Sequence, residues 1–116
     1  MSSAAPVMRH TLNIRDRTQE TELYRIYVRP ASSGNWGEDR LGNRILDPGQ
    51  SLPVQVEAGR YDVCVEVRHQ YSWQPTDEPR SIVWRDVAIN ADYTINVNED
   101  LNYGNQVYNY GYCTDR

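Results

Sequence analysis

This sequence contains no lysine and no phenylalanine, and it has only two cysteines and two histidines among its 116 residues. All 12 of its basic residues are arginine. Two explanations stay open: the composition of a GC-rich genome, or selection of arginine for stacking and bidentate pairing with tyrosine and carboxylate groups. With 16 acidic residues the net charge is −4. Because phosphate binding needs clustered cations, we expect no nucleic-acid partner.

Long apolar runs are also missing. No stretch approaches the roughly 20 apolar residues that a membrane-spanning helix needs, so the sequence predicts no membrane span. Residues 1–6 lack the apolar segment of a signal peptide. A cytoplasmic protein and a mature exported protein with an added start methionine both fit this beginning, and its small residues and proline suit the second.

The sequence lacks the residue constellations of known catalytic and metal sites. His10, His69, Cys64 and Cys113 do not have the close spacing of zinc ligands. There is no Gly-x-Ser-x-Gly nucleophile elbow and no glycine-rich phosphate loop. We therefore expect a protein that is not an enzyme and that holds no metal ion and no cofactor. A hydrolase with His10 or His69 beside a carboxylate is the minority alternative.

What the sequence does contain is a series of short segments in which apolar and polar residues alternate. This period of two is typical of half-buried β-strands, and no window shows the 3.6-residue spacing of an amphipathic helix. The predicted strands cover residues 8–14, 22–29, 51–56, 60–68, 81–89 and 92–98. The segment 22–29 has apolar residues on both parities, which favours a strand covered on both faces or central in its sheet.

About six short strands with turns between them predict an all-β fold, a small single-domain antiparallel β-sandwich. One domain also fits the length. We expect residues 1–7 to be disordered, residues 8–98 to form the sandwich, and the Tyr/Asn-rich tail of residues 99–116 to pack on it. The strands 51–56 and 60–68 are separated only by the tight turn at Ala58 and Gly59, which favours an antiparallel hairpin.

The two cysteines are predicted to form a disulfide. On the strand 60–68, Val63 and Val65 share the apolar face, whereas Cys64 lies on the polar face. A bond from Cys64 to Cys113 would hold the tail across that polar face and would stabilise by roughly 3–4 kcal/mol in the chain-entropy model. Such a bond implies an oxidising compartment. Two unrelated free thiols are the alternative.

The loop of residues 35–43 combines a bulky aromatic residue, glycines and acidic residues. We call it the Trp36 loop, and its predicted anchors are Trp36, Gly37, Asp39, Leu41 and Gly42. A polar linker needs no Trp or Leu, so the loop is expected to pack back onto the domain, with Trp36 against Trp84. The glycines permit sharp turns, and Asp39 is expected to accept backbone N–H bonds.

Calcium is an alternative ligand for the carboxylates of the Trp36 loop. Glu38 and Asp39 are adjacent in a loop, where they could share a cation. A calcium ion takes about 6–8 oxygen ligands, and Asn35, Asn43 and Asp47 could supply more of them.

A second loop, residues 69–80, carries Tyr71 and Trp73. We expect these two rings to be a ligand-binding patch, because exposed tyrosine and tryptophan suit carbohydrate stacking or a protein surface. The alternative is that the rings fill out a small core that has no phenylalanine.

Five segments of this chain, in order, resemble a widespread group of small bacterial exported proteins, mostly uncharacterised. That group has the pattern LYVSPS…WGxDxLG…LxPGxS…GxYDVxVxDxDG…WxNV. The matching segments here are Leu23–Pro30, Asn35–Gly42, Ile45–Ser51, Gly59–Val63 and Trp84–Val87. After Val67, residues 68–80 replace the acidic DxDG turn of the pattern. The resemblance implies export and a compact all-β domain, and it carries no catalytic residues.

Taken together, these features predict a non-enzymatic interaction or structural module of a bacterial cell envelope, secreted or periplasmic. Its partner would be a protein or a glycan, and the sequence does not specify an oligomeric state. A carbohydrate-binding module that uses exposed Trp and Tyr is the first alternative, and a hydrolase is the second.

Overall fold

Seven strands form two packed sheets in the computed structural model, which describes residues 9–69, 80–98 and 106–115. The strands are β1 (Arg9–Asp16), β2 (Thr21–Pro30), β3 (Ser51–Glu57), β4 (Gly59–His69), β5 (Arg80–Ile89), β6 (Tyr93–Val97) and β7 (Val107–Tyr110), followed by a short 3₁₀ helix (Cys113–Asp115). The all-β sandwich predicted from the alternating segments is confirmed, with one strand more than expected. No helix of membrane-spanning length and hydropathy occurs in these three ranges. Residues 1–7 and Met8 lie outside the described residues.

The two sheets differ in size and pairing. The smaller one has the order β3-β1-β6, and the larger one has the order β2-β4-β5-β7. Every strand pair is antiparallel except β1 with β6, which runs parallel. A parallel pair requires the chain to leave one sheet and return, and here β2 to β5 intervene between the two partners.

The core lies between the sheets and is built from the alternating aliphatic residues of both. The small sheet contributes Leu12 and Ile14 from β1 and the buried side of β3 and β6. The large sheet contributes the inward valines of β4 together with Ile82 and Trp84 of β5. The strands β1, β3 and β4 therefore place alternate side chains in the core, which is what a period of two produces in a sandwich.

The predicted hairpin of the third and fourth strands is wrong. β3 pairs with β1, with Leu12 opposite Val54, and β4 pairs with β2 and β5. Ala58 alone separates the two strands, and they belong to different sheets. Alternation fixes which side chains face the core, and both faces of the core are apolar. A short connection therefore allows the chain either to turn back in one sheet or to cross to the other.

A β-bulge explains why β2 has apolar residues on both parities. Leu23 lies opposite Val67 and Arg25 lies opposite Glu66, so Tyr24 is an extra residue in the register. The bulge inverts the alternation, so that Leu23 faces the core before it and Ile26 faces the core after it. Tyr27 and Arg29 consequently point to the other side of the sheet.

The tail contributes the strand that the sequence did not reveal. β7 pairs antiparallel with the start of β5, and Val107 lies opposite Val83. It carries one aliphatic residue and is held by backbone pairing at the edge of the sheet, so its sequence lacks the alternating aliphatic pattern of the core strands. Residues 99–105 lie outside the described part of the chain.

The disulfide between Cys64 and Cys113 is present, as predicted, and both cysteines are fully buried. It joins the middle of β4 to the 3₁₀ helix across a sequence separation of 49 residues. The described cysteines include no free thiol. The tail is thus fastened to the side of β4 that faces away from the core.

Reducing this disulfide should destabilise the domain without changing its fold class. Closing a loop of this length restricts the unfolded chain, and the chain-entropy model gives about 3–4 kcal/mol for the lost stability. Urea unfolding with and without a phosphine reductant measures it, and the double variant Cys64→Ala/Cys113→Ala should lose a similar amount. An unfolding midpoint that does not move on reduction would contradict the role given to the bond.

Candidate functional site

The side of the large sheet that faces away from the core carries paired arginines and carboxylates, a tyrosine and the disulfide. We call it the outer face. It is made by alternate residues of β2, β4 and β5, which lie in rows across the three strands. Two rows follow the strand register, Arg25–Glu66–Ser81 and Tyr27–Cys64–Val83. The third is the pair Arg29–Asp62, joined by Arg85, whose Nη1 lies 3.7 Å from Asp62 Oδ2 beside a bulge in the β4–β5 register. A row of apolar groups thus lies between two rows that contain arginine and a carboxylate.

The middle row belongs to a second hydrophobic cluster, separate from the main core. Tyr27, Cys64 and Val83 are packed together with Trp36 and Cys113. The tilted rings of Tyr27 and Trp36 have centroids 6.4 Å apart. The Trp36 loop and the tail therefore cover the outer face from two directions and meet over the disulfide.

The Trp36 loop covers the outer face by wrapping around the edge of β2. The sequence predicts that Trp36 and Leu41 pack onto the domain, and they are 6% and 3% exposed. Leu41 enters the main core, whereas Trp36 lies in the second cluster on the other side of the sheet. The expected packing of Trp36 on Trp84 is wrong, because Trp84 faces the main core and the sheet separates the two rings.

Asp39 holds the loop to β2 through the backbone. Its Oδ1 accepts hydrogen bonds from the amide of Ile26 (2.9 Å) and from the amide of Leu41 (3.0 Å), and the amide of Arg40 donates to the carbonyl of Ile26 (2.7 Å). Gly37 and Gly42 both have positive φ, 75° and 61°, where a side chain would be strained. The loop thus replaces a neighbouring strand on this side of β2.

The carboxylates of the two charged rows are both buried, and they are bonded to different partners. In one row Glu66, 1% exposed, accepts hydrogen bonds from Arg25 Nη1 (3.0 Å) and from the amide of Cys113 (3.1 Å). In the other row Asp62 Oδ2 accepts from Arg29 Nε (3.1 Å) and lies 3.7 Å from Arg85 Nη1. Buried carboxylates are stable as anions when they are paired in this way.

Burial and Glu66 alter the acidity of the outer-face tyrosines. Burial raises the pKa of Tyr27, and the negative charge of Glu66 raises it further, while Arg25 acts in the opposite direction. The pKa of Tyr24 is raised for the same reasons in the same order. Both phenols are therefore held in the neutral form.

Two clefts open beside the outer face. The first, which we call the Trp36 cleft, has a volume of about 330 Å³ and is lined by residues that include Arg29, Asn35, Trp36, Glu38 and Arg40. The second, which we call the corner cleft, has a volume of about 350 Å³ and lies where the chain passes from β5 to β6. Its lining includes Arg85, Asp86, Tyr93, Asn96 and Asn98.

Asp86 in the corner cleft has an unusual backbone. Its φ of 55° is the one positive value at a non-glycine residue in the described chain. β5 bulges there, and the amide of Asp86 donates to Asp62 Oδ1 (2.9 Å) while its carboxylate pairs with Arg60 (3.1 Å). A left-handed aspartate costs on the order of 1 kcal/mol and is kept by contacts that over-determine it, a common feature of functional positions.

Three further site predictions from the sequence concern Tyr71 and Trp73, a zinc ion and a calcium ion. Tyr71 and Trp73 lie outside the described residues. The thiolate ligands of the zinc alternative are consumed by the disulfide. For the calcium alternative, Asp39 Oδ1 is occupied by two amides, and no group of three or more His, Cys, Asp or Glu suited to a metal ion occurs within residues 9–69, 80–98 and 106–115.

Removing the Asp39 carboxylate should destabilise the domain. Asp39→Ala leaves the amides of Ile26 and Leu41 without their acceptor, at a cost of about 1–3 kcal/mol. Glu38→Ala, the exposed neighbour, is the matched control and should change stability by less than about 0.5 kcal/mol. Urea unfolding measures both, and equal losses in the two variants would contradict the role of Asp39.

Alkaline pH should destabilise the domain, because the phenols of Tyr24 and Tyr27 have a raised pKa in the folded state. A pKa that is higher in the folded state contributes stability that is complete below the ordinary tyrosine pKa of about 10 and is lost as the pH rises through the folded value. Tyr27→Phe removes one such phenol, so its unfolding midpoint should fall less steeply above that pH than that of the parent protein. Parallel pH profiles of parent and variant would show that the phenol does not ionise with a raised pKa.

Comparison with other proteins adds no family to these observations. No model of a protein family matches this chain, and neither a curated protein nor a solved structure does. Its function has to come from the geometry of the outer face and of the two clefts.

Proposed function

We propose that this protein is a non-enzymatic interaction module that works outside the cytoplasm of a bacterium, secreted or in the periplasm. The observation that carries the proposal is the fully buried disulfide between Cys64 and Cys113, which fastens the tail over the outer face. Disulfides of this structural kind form and persist in oxidising compartments. Export therefore brings the chain to conditions in which the disulfide that stabilises this fold can form.

The outer face and the tail support binding rather than catalysis. The carboxylates of the outer face, Asp62 and Glu66, are neutralised by arginines, and the sulfur atoms are joined in the disulfide. Tyr110 and Tyr112 of the tail are large and exposed. Tyrosine and arginine are enriched in protein interfaces because they combine apolar area with a polar end.

A carbohydrate-binding module is the second candidate, and the corner cleft favours it. Tyr93 is 50% exposed at the cleft, where its ring can stack on a sugar. The same cleft is lined by polar residues that offer both donors and acceptors for hydroxyl groups. They are Arg85, Asp86, Asn96 and Asn98. The predicted patch of Tyr71 and Trp73 lies outside the described residues and stays a prediction beside this cleft.

One experiment with two reciprocal variants separates these partners. The purified oxidised protein is tested on a glycan array and in a pull-down from bacterial envelope extract, beside Tyr93→Ala and Tyr110→Ala. Both tyrosines are at least half exposed, so each variant should stay within about 0.5 kcal/mol of the parent in stability. A glycan in the corner cleft would be lost with Tyr93→Ala only, and a protein partner on the tail would be lost with Tyr110→Ala only.

The compartment is tested on the native protein. Mass spectrometry of unreduced protein from its natural source should find the Cys64–Cys113 bond in the envelope or secreted fraction. Two free thiols, or recovery of the protein from the cytoplasmic fraction alone, would overturn the proposal of an exported module.

A further inference from the structure

We propose that the Trp36 cleft is a binding site for a single carboxylate group, recognised by Arg29 with the help of Arg40. The proposal deepens the proposed function, because it names the chemistry of a ligand for an interaction module. The carboxylate site is tested on the purified protein with small molecules. A negative result there would leave the proposals of export and of partner binding unaffected. The corner cleft is a different site and is not involved.

Arg29 is a buried cation with unused hydrogen-bonding capacity. Its side chain is only 10% exposed, and a guanidinium has five N–H donors. Within the described chain its one hydrogen bond runs from Nε to Asp62 Oδ2 (3.1 Å). The four N–H donors on Nη1 and Nη2 make no bond within the described chain, and neither nitrogen is among its buried unsatisfied side-chain atoms, so they face the solvent. Arg29 lines the Trp36 cleft, and a ligand that enters the cleft can replace the water at these donors.

The guanidinium of Arg29 is also fixed in orientation. Its Cζ lies 3.8 Å from the centroid of the Trp36 ring, and Asp62 holds its Nε edge. A cation stacked on an indole and pinned at one edge loses little further freedom when it binds. The two terminal nitrogens form the planar fork that matches a carboxylate or a phosphate with two parallel hydrogen bonds.

The charges around the Trp36 cleft favour an anion of low charge. Two cations, Arg29 and Arg40, line the cleft together with Glu38, which is exposed. Asp62 neutralises Arg29 only in part, because it is shared with Arg85, which lines the corner cleft. Glu38 repels any anion, and it repels a carboxylate, with one negative charge, less than a phosphate, which carries up to two at neutral pH.

The size of the cleft limits the ligand. Its volume is about 330 Å³, and a water molecule occupies about 30 Å³ in the liquid. The cleft therefore has room for a group of the size of one sugar ring or a few peptide residues. Two sources of the carboxylate fit this limit, an acidic sugar and the carboxyl terminus of a peptide.

The test is a titration of the ¹⁵N-labelled protein followed by NMR at the Arg29 Nε–H and Trp36 indole N–H signals. The probes are sodium acetate, inorganic phosphate, glucuronate with glucose as its neutral counterpart, and triglycine with its amide. Acetate should shift both signals in a saturable way, whereas sodium chloride of equal ionic strength should not. Glucuronate binding without triglycine binding identifies a sugar acid, and the reverse identifies a peptide carboxyl terminus.

Charge variants around the cleft make the test specific. Arg29→Lys keeps the charge but loses the fork and should weaken acetate binding about tenfold. Arg40→Gln should weaken it, and Glu38→Gln should strengthen it, each by about twofold to fivefold. Arg44→Gln is the matched control, because it removes an exposed arginine of the neighbouring loop that does not line the cleft. It should leave the affinity unchanged.

Several results would overturn the carboxylate site. They are shifts that sodium chloride reproduces, phosphate that binds more tightly than acetate, and an Arg44→Gln effect as large as that of Arg40→Gln. If Arg29→Lys does not fold, the opposite signs expected for Arg40→Gln and Glu38→Gln still decide the question, because both of these side chains are exposed.

Discussion

Burial of both faces of β4 is the constraint on which the rest of this structure depends. Its inward valines face the main core, and on its other side Cys64 and Glu66 are buried as completely. A sheet can leave one face to water, but this strand is buried on both faces from Asp62 to Val67. The Trp36 loop, the tail and the disulfide all exist in the positions they have because they cover that second face.

Alternation of apolar and polar residues was enough to predict the class of fold, and it failed wherever pairing was in question. It identified the faces of β4 and so the pairing of Cys64 with Cys113, because a cysteine on the side away from the core must meet something there. It could not name neighbours, since strands of both sheets present the same aliphatic pattern to one core. A bulge at Tyr24 and backbone pairing of β7 leave almost no trace in hydrophobicity.

The candidate site was less predictable than the fold for a related reason. The Trp36 loop contained the residues that anchor it, but only the register of β2 decides that Arg29 lies beside Asp62 under the indole. The bulge at Tyr24 turns the side chain of Arg29 to the outer face of the sheet. Sequence spacing alone does not show this bulge and so does not identify Asp62 as the partner of Arg29. The backbone of Asp86 is equally hidden, because aspartate tolerates a left-handed conformation without any local signal such as glycine.

The way in which Asp39 and Leu46 close the rim of β2 has a consequence for how the protein behaves at high concentration. The Ile26 amide and carbonyl, and both backbone groups of Leu23, are bonded to the chain's own loop. An edge strand with unpaired backbone N–H and C=O groups can pair with a strand of another molecule, and aggregation can begin in that way. At the β2 edge that route is closed by the chain's own loop, so another copy of the protein cannot add a strand there at Leu23 or Ile26.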